Sequence, residues 1–304
     1  MAVGAPETTG NHPKALWPGV KEWYGVGYGE PGSEQYRKLF EQQTSTQAWE
    51  EDVEQHGYGL AQVKDQGGSV TYTGRSQGPV SRYTHVAYAL GFIVTYENLK
   101  DNLYAQVANA GAKAIGRSMR QAKEINGANV YNRAFTAGYT GGDGQILCVS
   151  THPTAAGNQS NAPTAADFSE ASCEDAVLAV RQALDYEGLL LGLQPKQLII
   201  PNELMFEVVR VLESPLQSNG TNNDTNALRK MGPFSSVDIN DYLTDADSWF
   251  IRTDAPAGMK CYQRDSVPMQ KANDFDTMNA KAFSYDRYAF GWSDWRGLFG
   301  TAGV

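Results

Sequence analysis

Apolar side chains recur with different periods along the chain, and the period names the element. Between Gly59 and Val94 they alternate: Val70 and Tyr72 stand among Ser69, Thr71 and Thr73, and Val86, Tyr88, Leu90, Phe92 and Val94 fall on every second residue. Alternation of this kind marks a strand with two different faces. The DQGGS stretch supplies turn chemistry, because Gly67 and Gly68 tolerate the positive φ that a tight turn needs. The pattern predicts a long, largely polar β-hairpin turning at Asp65, Gln66, Gly67 and Gly68, with an ordinary sheet edge as the alternative.

From Glu97 to Phe135 the period lengthens. Leu99, Leu103, Val107, Ala110, Ala114, Met119, Ala122 and Ile125 recur every few residues, the stripe of an amphipathic helix. About thirty helical residues would span about 45 Å at 1.5 Å each. Gly111 and Gly116 lie inside it, where each costs about 1 kcal/mol relative to Ala. Either another backbone packs close to them or the helix bends there.

The middle of the chain reads as α/β. Ser172 with Asp175 suggests a capping box for a helix carrying Cys173, Ala176, Val177, Val180 and Leu184 on one face. Leu198, Ile199 and Ile200 form a short buried strand. Pro201 then starts a helix with Leu204, Val208, Val211 and Leu212 on one side. Gln217 to Asn226 is a polar loop too poor in apolar residues to fold alone. Strand-like patterning resumes at Ser236 to Asn240 and Trp249 to Thr253. Residues 1–55, interrupted by Pro6, Pro13, Pro18 and Pro31, read as an extended arm with a short helix near Ser33 to Gln43. Arms of this kind lie on neighbouring chains.

The chain ends in an aromatic run. Phe283 and Tyr285 occupy one phase of a period-two pattern, and Tyr288, Phe290 and Trp292 occupy the other. One flat strand cannot turn both sets to the same face. A bulge or sharp twist near Asp286 and Arg287 is therefore expected to realign them. Beyond it, Gly297 and Gly300 are expected to allow turns, with Trp295 and Phe299 anchoring a docked tail.

Composition narrows the function more than the fold. With 25 Lys and Arg against 34 Asp and Glu, the net charge of −9 argues against a domain that grips nucleic acid through a basic face. It permits enclosing DNA without sequence-specific binding. No run of about 18 apolar residues predicts a membrane span, and the N-terminus lacks a signal-peptide pattern. Cys148, Cys173 and Cys261 show no paired spacing, which points to a reducing compartment such as a cytoplasm.

Motifs of catalysis are missing. The sequence has no G-x-S-x-G elbow, no H-E-x-x-H and no P-loop. Cys148 and His152 have metal-like spacing but no second pair, so a buried thiol and a loop histidine is the plainer reading. GVGYGEPG from Gly25 follows no clean strand and reads as a flexible turn. Asn222, Asn223 and Asp224 lack the spacing and terminal Glu of a calcium loop. Asp241, Asp245 and Asp247 read as solvated loop residues. No catalytic, cofactor-binding or metal-binding residue is expected.

Three blocks, taken together, resemble the major capsid proteins of tailed double-stranded DNA bacteriophages. They are ALGFIVTYENLKDNLYAQV from Ala89, the stretch Ala176 to Ser214 containing DYEGLLLGLQPKQLIIPNEL, and FGWSDWRGLFGTAG from Phe290. Their order and spacing agree over most of residues 89–303. The resemblance implies an α+β fold with an N-terminal arm (1–55), an extended β-hairpin loop (56–95), a peripheral domain with a long spine helix (96–135 and 256–304) and an α/β axial domain (136–255). It implies a structural protein whose hexamers and pentamers tile an icosahedral shell around the phage genome, assembled in the host cytoplasm and found in the virion.

Under that resemblance Asp65, Gln66, Gly67 and Gly68, and Asn222, Asn223 and Asp224 in the axial loop, are expected at contacts between subunits. Gly111 and Gly116 are expected to let the spine helix bend in a compact precursor that later expands. Fewer than sixty residues precede the hairpin, so a separate scaffolding protein is expected, with a portal and a decoration protein as further partners. Lys64, near the hairpin tip, matches by position alone the lysine that some relatives cross-link, and a solvated lysine is the plainer reading. The rival readings are an encapsulin-like nanocompartment shell and, from another class, an enzyme built on the middle region.

Overall fold

The computed structural model describes residues 13–29, 34–97, 104–216, 225–273 and 279–304. The chain opens with helix α1 (Pro13–Gly29), a single-turn helix α2 (Tyr36–Leu39) and strand β1 (Glu41–Thr44). Strands β2 (Trp49–Gln55) and β3 (Gln77–Thr84) pair as an antiparallel ribbon. Strand β4 (Val86–Val94) precedes the 29-residue helix α3 (Tyr104–Asn132). A small ribbon of β5 (His152–Thr154) and β6 (Gly157–Gln159) leads to helix α4 (Glu170–Arg181), strand β7 (Pro195–Ile200), helices α5 (Met205–Glu213) and α6 (Ala227–Met231), and strands β8 (Ser236–Ile239) and β9 (Trp249–Thr253). Long strands β10 (Met259–Asn273) and β11 (Ala280–Trp292), a 3₁₀ turn at Trp295–Gly297 and strand β12 (Leu298–Thr301) follow.

Two four-stranded sheets organise this α+β fold. The first has the order β1-β10-β11-β4, with β1 parallel to β10 and the rest antiparallel. The second has the order β12-β9-β7-β8, with β7 and β8 parallel. Strands β7 and β9 are buried on both faces, so successive side chains enter different cores. Leu198, Ile200, Trp249 and Ile251 join Cys173, Val177, Val180 and Val208 of α4 and α5. Ile199 and Phe250 point the other way, into a core with Leu39, Phe40, Tyr131, Leu147 and Cys261. The second core thus couples the two sheets, and each large apolar side chain it removes from water contributes about 1.5–3 kcal/mol.

Helix α3 buries Ala112, Ile115, Met119, Ala128 and Tyr131 along one side, a three-to-four-residue spacing. Its N-terminal half meets α1 and the first sheet through Tyr24, Val94, Met269 and Ala282. The helices cross at glycines. A Cβ on Gly116 would run into the Tyr24 carbonyl oxygen, and one on Gly27 into the backbone of Lys113. Close backbone approach therefore accounts for Gly116. Gly111 differs, since a Cβ there would meet the Phe92 ring at an ordinary 3.5 Å.

Several expectations need correction. The N-terminal 55 residues are not simply an extended arm: α1 is helical and packs on α3, β1 completes the first sheet, and Tyr36, Leu39 and Phe40 are buried. Packing holds α1 where local periodicity is weak, and Pro13 sits at its first position, where a missing N–H costs little. The ribbon pairs β2 with β3 and leaves residues 56–76 without regular structure, while β4 belongs to the first sheet. Val70 and Tyr72 alternate with polar residues, yet both are exposed, so no buried face fixes a register for them. Helix α4 is capped by Ser169, not Ser172: the Ser172 N–H donates to Ser169 Oγ, and Ser172 is the box's third residue.

The C-terminal strand also differs. Its ladder with β4 runs unbroken through Asp286 and Arg287. The register shift lies across from them on β10, between Gln263 and Asp265. No realignment is needed, because Ala282, Ser284, Asp286 and Tyr288 share the buried face while Phe283 points out. Gly297 ends the 3₁₀ turn as expected and is also a close approach, since a Cβ there would strike Gly258, whereas Gly300 lies in a strand where a Cβ would strike the Phe250 ring. Trp295 and Phe299 are both buried. The tail also crosses the expected domain boundary at residue 255, since β12 pairs with β9 in the second sheet.

Candidate assembly surfaces

The β2–β3 ribbon meets the body through carboxylates. In β2, WEEDVEQ, the period of two sends Glu50, Asp52 and Glu54 to the partly buried face, and Glu51 and Val53 outward. Each inward carboxylate has a partner. Ser45 Oγ donates to Glu50 at 2.6 Å. Asp52 Oδ2 accepts from Lys260 Nζ at 2.5 Å, Ser293 Oγ at 2.6 Å and Tyr262 OH at 3.1 Å. Glu54 accepts from Arg296 Nη1 at 3.1 Å. Burial works against the charged form of Asp52, but its three donors outweigh it and hold the carboxyl below the usual range. At Glu54 the balance reverses: burial, and then the nearby Asp294 carboxylate, raise it against the pull of Arg296.

Arg296 is buried and ties this root to the rest of the chain. Its Nε donates to the Leu184 carbonyl at 2.8 Å, and its guanidinium lies 4.3 Å from the Trp295 ring centroid. His152 stacks on the same indole at 4.2 Å and contacts Asp143 at 2.6 Å and Asn161 at 3.1 Å. His152 is thus fully buried, where a loop histidine was expected. Cys148 lies in the second core, and burial pushes the Cys173 and Cys261 thiols up to about 12, so they stay protonated. Among the described residues, no group of three or more His, Cys, Asp or Glu is placed to hold a metal ion.

Beyond the root, the connecting loop is exposed and carries apolar side chains. Leu60, Val63 and Tyr72 are at least 80% exposed, with Tyr58 and Val70 more than half so. Side chains this apolar on a projecting loop are suited to a partner surface. At the tip the Gly68 N–H donates to the Asp65 carbonyl at 3.0 Å, and Gly67 has φ 81°. That is the third-position requirement of a type II turn, so Asp65, Gln66, Gly67 and Gly68 form a turn together. Near the root, the Arg75 side chain donates to the His56 carbonyl and His56 stacks on Tyr186. A second apolar surface lies on α5, where Phe206 and Val209 point out while Val208 points in. Asn222, Asn223 and Asp224 lie outside the described residues.

The carboxylate root was missed in the sequence, although the alternation of Glu50, Asp52 and Glu54 was the available signal. The family model for phage capsid proteins matches residues 79–300. The chain belongs to that family. It is accordingly a structural protein that assembles with copies of itself into a capsid, not an enzyme. No curated protein matches the chain.

Solved structures agree on the capsid protein's fold. A virus-like particle from Pyrococcus furiosus is 11% identical, with a TM-score of 0.53 over 93% of this chain and 97% of that one. A structure from Mycobacterium phage Che8 is 14% identical, with a TM-score of 0.52 over 90% and 93%. One from Microbacterium phage Oxtober96 is 11% identical, with a TM-score of 0.53 over 90% and 92%.

Proposed function

We propose that the protein forms hexamers and pentamers that close into an icosahedral shell around DNA, with the hairpin loop of each copy lying on its neighbour. The observation that carries this reading is the loop itself: five exposed apolar side chains project on a ribbon that is held by charge. The first sheet with α3 serves as the peripheral domain, and the second sheet with α4–α6 as the axial domain. Asp65 to Gly68, and the axial loop with Asn222, Asn223 and Asp224, supply contacts between subunits. Heterologous contacts of this kind close on themselves when their rotation permits. A separate scaffolding protein, a portal and a decoration protein complete the particle, which is built in the host cytoplasm. Gly111 gives α3 freedom to bend before the shell expands. The net charge of −9 keeps the wall from binding phosphates tightly.

Replacing residues 58–72 with a Gly-Ser linker tests the loop. The expected result is a folded subunit, by circular dichroism, that yields no closed particles by electron microscopy. Particles at parental yield would overturn the contact role of the loop. The contents of parental particles separate a genome shell, which holds DNA, from a nanocompartment, which holds protein cargo.

A further inference from the structure

Two of the three inward carboxylates at the hairpin root, Asp52 and Glu54, are held in opposite ways. Asp52 sits before three donors and is satisfied. Glu54 has one partner, which it shares: Arg296 Nη1 lies 3.1 Å from Glu54 and 3.4 Å from Asp294. The other guanidinium nitrogens of Arg296 go to the Leu184 carbonyl and, at 3.4 Å, to Gln159 Oε1. The β2–β3 ladder also slips between Val53 and Gln55, beside Glu54. A slip of this kind loosens pairing and bends the strand.

We propose that the hairpin turns on Asp52 as a fixed pivot, and that Glu54, sharing Arg296 with Asp294, is the catch that opens first. The idea rests on the hairpin being the reaching element, and it supplies that element's hinge and its control. The charged and titratable groups around Glu54 come from every side. They are Asp52 on its own strand, His56 in the loop, Asp143 and His152 before and in β5, Asp185 and Glu187 after α4, Lys260 on β10, and Asp294 with Arg296 in the tail. Carboxylates outnumber cations in this set.

Proton linkage then gives the two contacts opposite signs. Burial raises both Glu54 and Asp294, so the docked root binds protons more tightly than an open one, and mild acid closes the catch. Asp52 is lowered by its donors, so stronger acid, below the ordinary carboxylate range, opens the pivot. The catch is therefore loosest at neutral pH.

Hydrogen–deuterium exchange of the soluble full chain, corrected for intrinsic rates, tests this at pH 7.5 and pH 5. In a His56→Gln, His85→Gln background, which removes the two root histidines whose lowered proton affinity acts oppositely, opening of residues 49–55 and 77–84 should be less frequent at pH 5. Glu54→Gln and Asp294→Asn should remove that pH difference and leave the root protected. Asp52→Asn should raise opening about ten- to hundredfold, the loss of charge-assisted hydrogen bonds. Lys260→Gln serves as the second variant and should do the same, with β7 and β9 amides staying protected in both. Opening that increases at pH 5 in that background, or Glu54→Gln opening the root as far as Asp52→Asn, overturns the proposal. The readout needs no particles, so a chain that never closes shells would defeat the assembly reading and leave the hinge standing.

Discussion

Gly116 of α3 packs against Gly27 of α1, each where the other helix leaves no room for a Cβ. The contact joins the N-terminal helix to the longest helix of the fold. Gly116→Ala should therefore force the helices apart and cost about 1–3 kcal/mol, the usual penalty of overpacking. Gly111→Ala has space beside the Phe92 ring and should gain up to about 1 kcal/mol of helix propensity. Urea midpoints of the two variants check the contrast. If Gly111 serves as a bend, its Ala variant will be more stable yet impaired in particle expansion, measured by electron microscopy.

Glu124 caps a helix from a distance. Its two carboxylate oxygens accept from the Gln35 N–H at 2.9 Å and the Tyr36 N–H at 2.8 Å, at the start of α2. Helix α2 is a single turn and the side chain of its own N-cap residue, Gln35, makes no capping bond, bonding Asp241 instead. Glu124→Ala leaves two donors without partners and should cost about 2–4 kcal/mol. Glu124→Gln keeps one acceptor oxygen and should cost about half as much. Exchange protection confined to residues 35–44 distinguishes this from general loss of stability.

His85 gives a pH dependence of definite sign. Its Nε2 lies 3.0 Å from Ser45 Oγ, and its Nδ1 is buried without a partner. Burial first, and then Arg287, lower its affinity for a proton. The folded state therefore binds that proton less tightly than the unfolded chain, whose histidine titrates near 6.5. The contribution is full above about pH 6.5 and is lost as pH falls from there towards the lowered value. Glu54, Asp294 and Glu124 are raised and act oppositely, so the comparison must be with the parent. His85→Gln should lose less stability than the parent between pH 7 and pH 5 by urea denaturation.

Periodicity showed the long helix but not its buried face: of the stripe read in the sequence Met119 is buried, whereas Ala110, Ala114 and Ile125 are exposed and Ala112, Ile115 and Tyr131 do the packing. Leu198 to Ile200 read correctly as a buried strand. Helix α1 was hidden because its fit depends on Gly116 of another helix. The polar root was hidden for a related reason: Asp52 and Lys260 are 208 residues apart. The aromatic ending misled because both faces of β11 were assumed to need one core. Tyr288 and Phe290 pack with Tyr36 and Phe40, while Phe283 remains partly exposed.

Asn161 supports the tail and has one orientation available. Its Nδ2 faces the carbonyls of Leu147 at 2.7 Å, Leu298 at 2.9 Å and Trp295 at 3.2 Å. Its Oδ1 accepts from the Val149 N–H at 3.0 Å and faces His152 Nε2 at 3.1 Å. Flipping the amide would set an acceptor against three acceptors. The same logic defines the sharpest substitution: Asn161→Asp keeps the shape and turns the donor into a carboxylate oxygen. A buried charge facing three carbonyls should cost more than about 3 kcal/mol. Asn161→Ala removes the bonds without adding repulsion and should be milder. Trp295 fluorescence should report the difference, with the Asp variant exposing its indole at lower urea than the Ala variant. Equal midpoints would mean the amide is not the group that holds the tail in place.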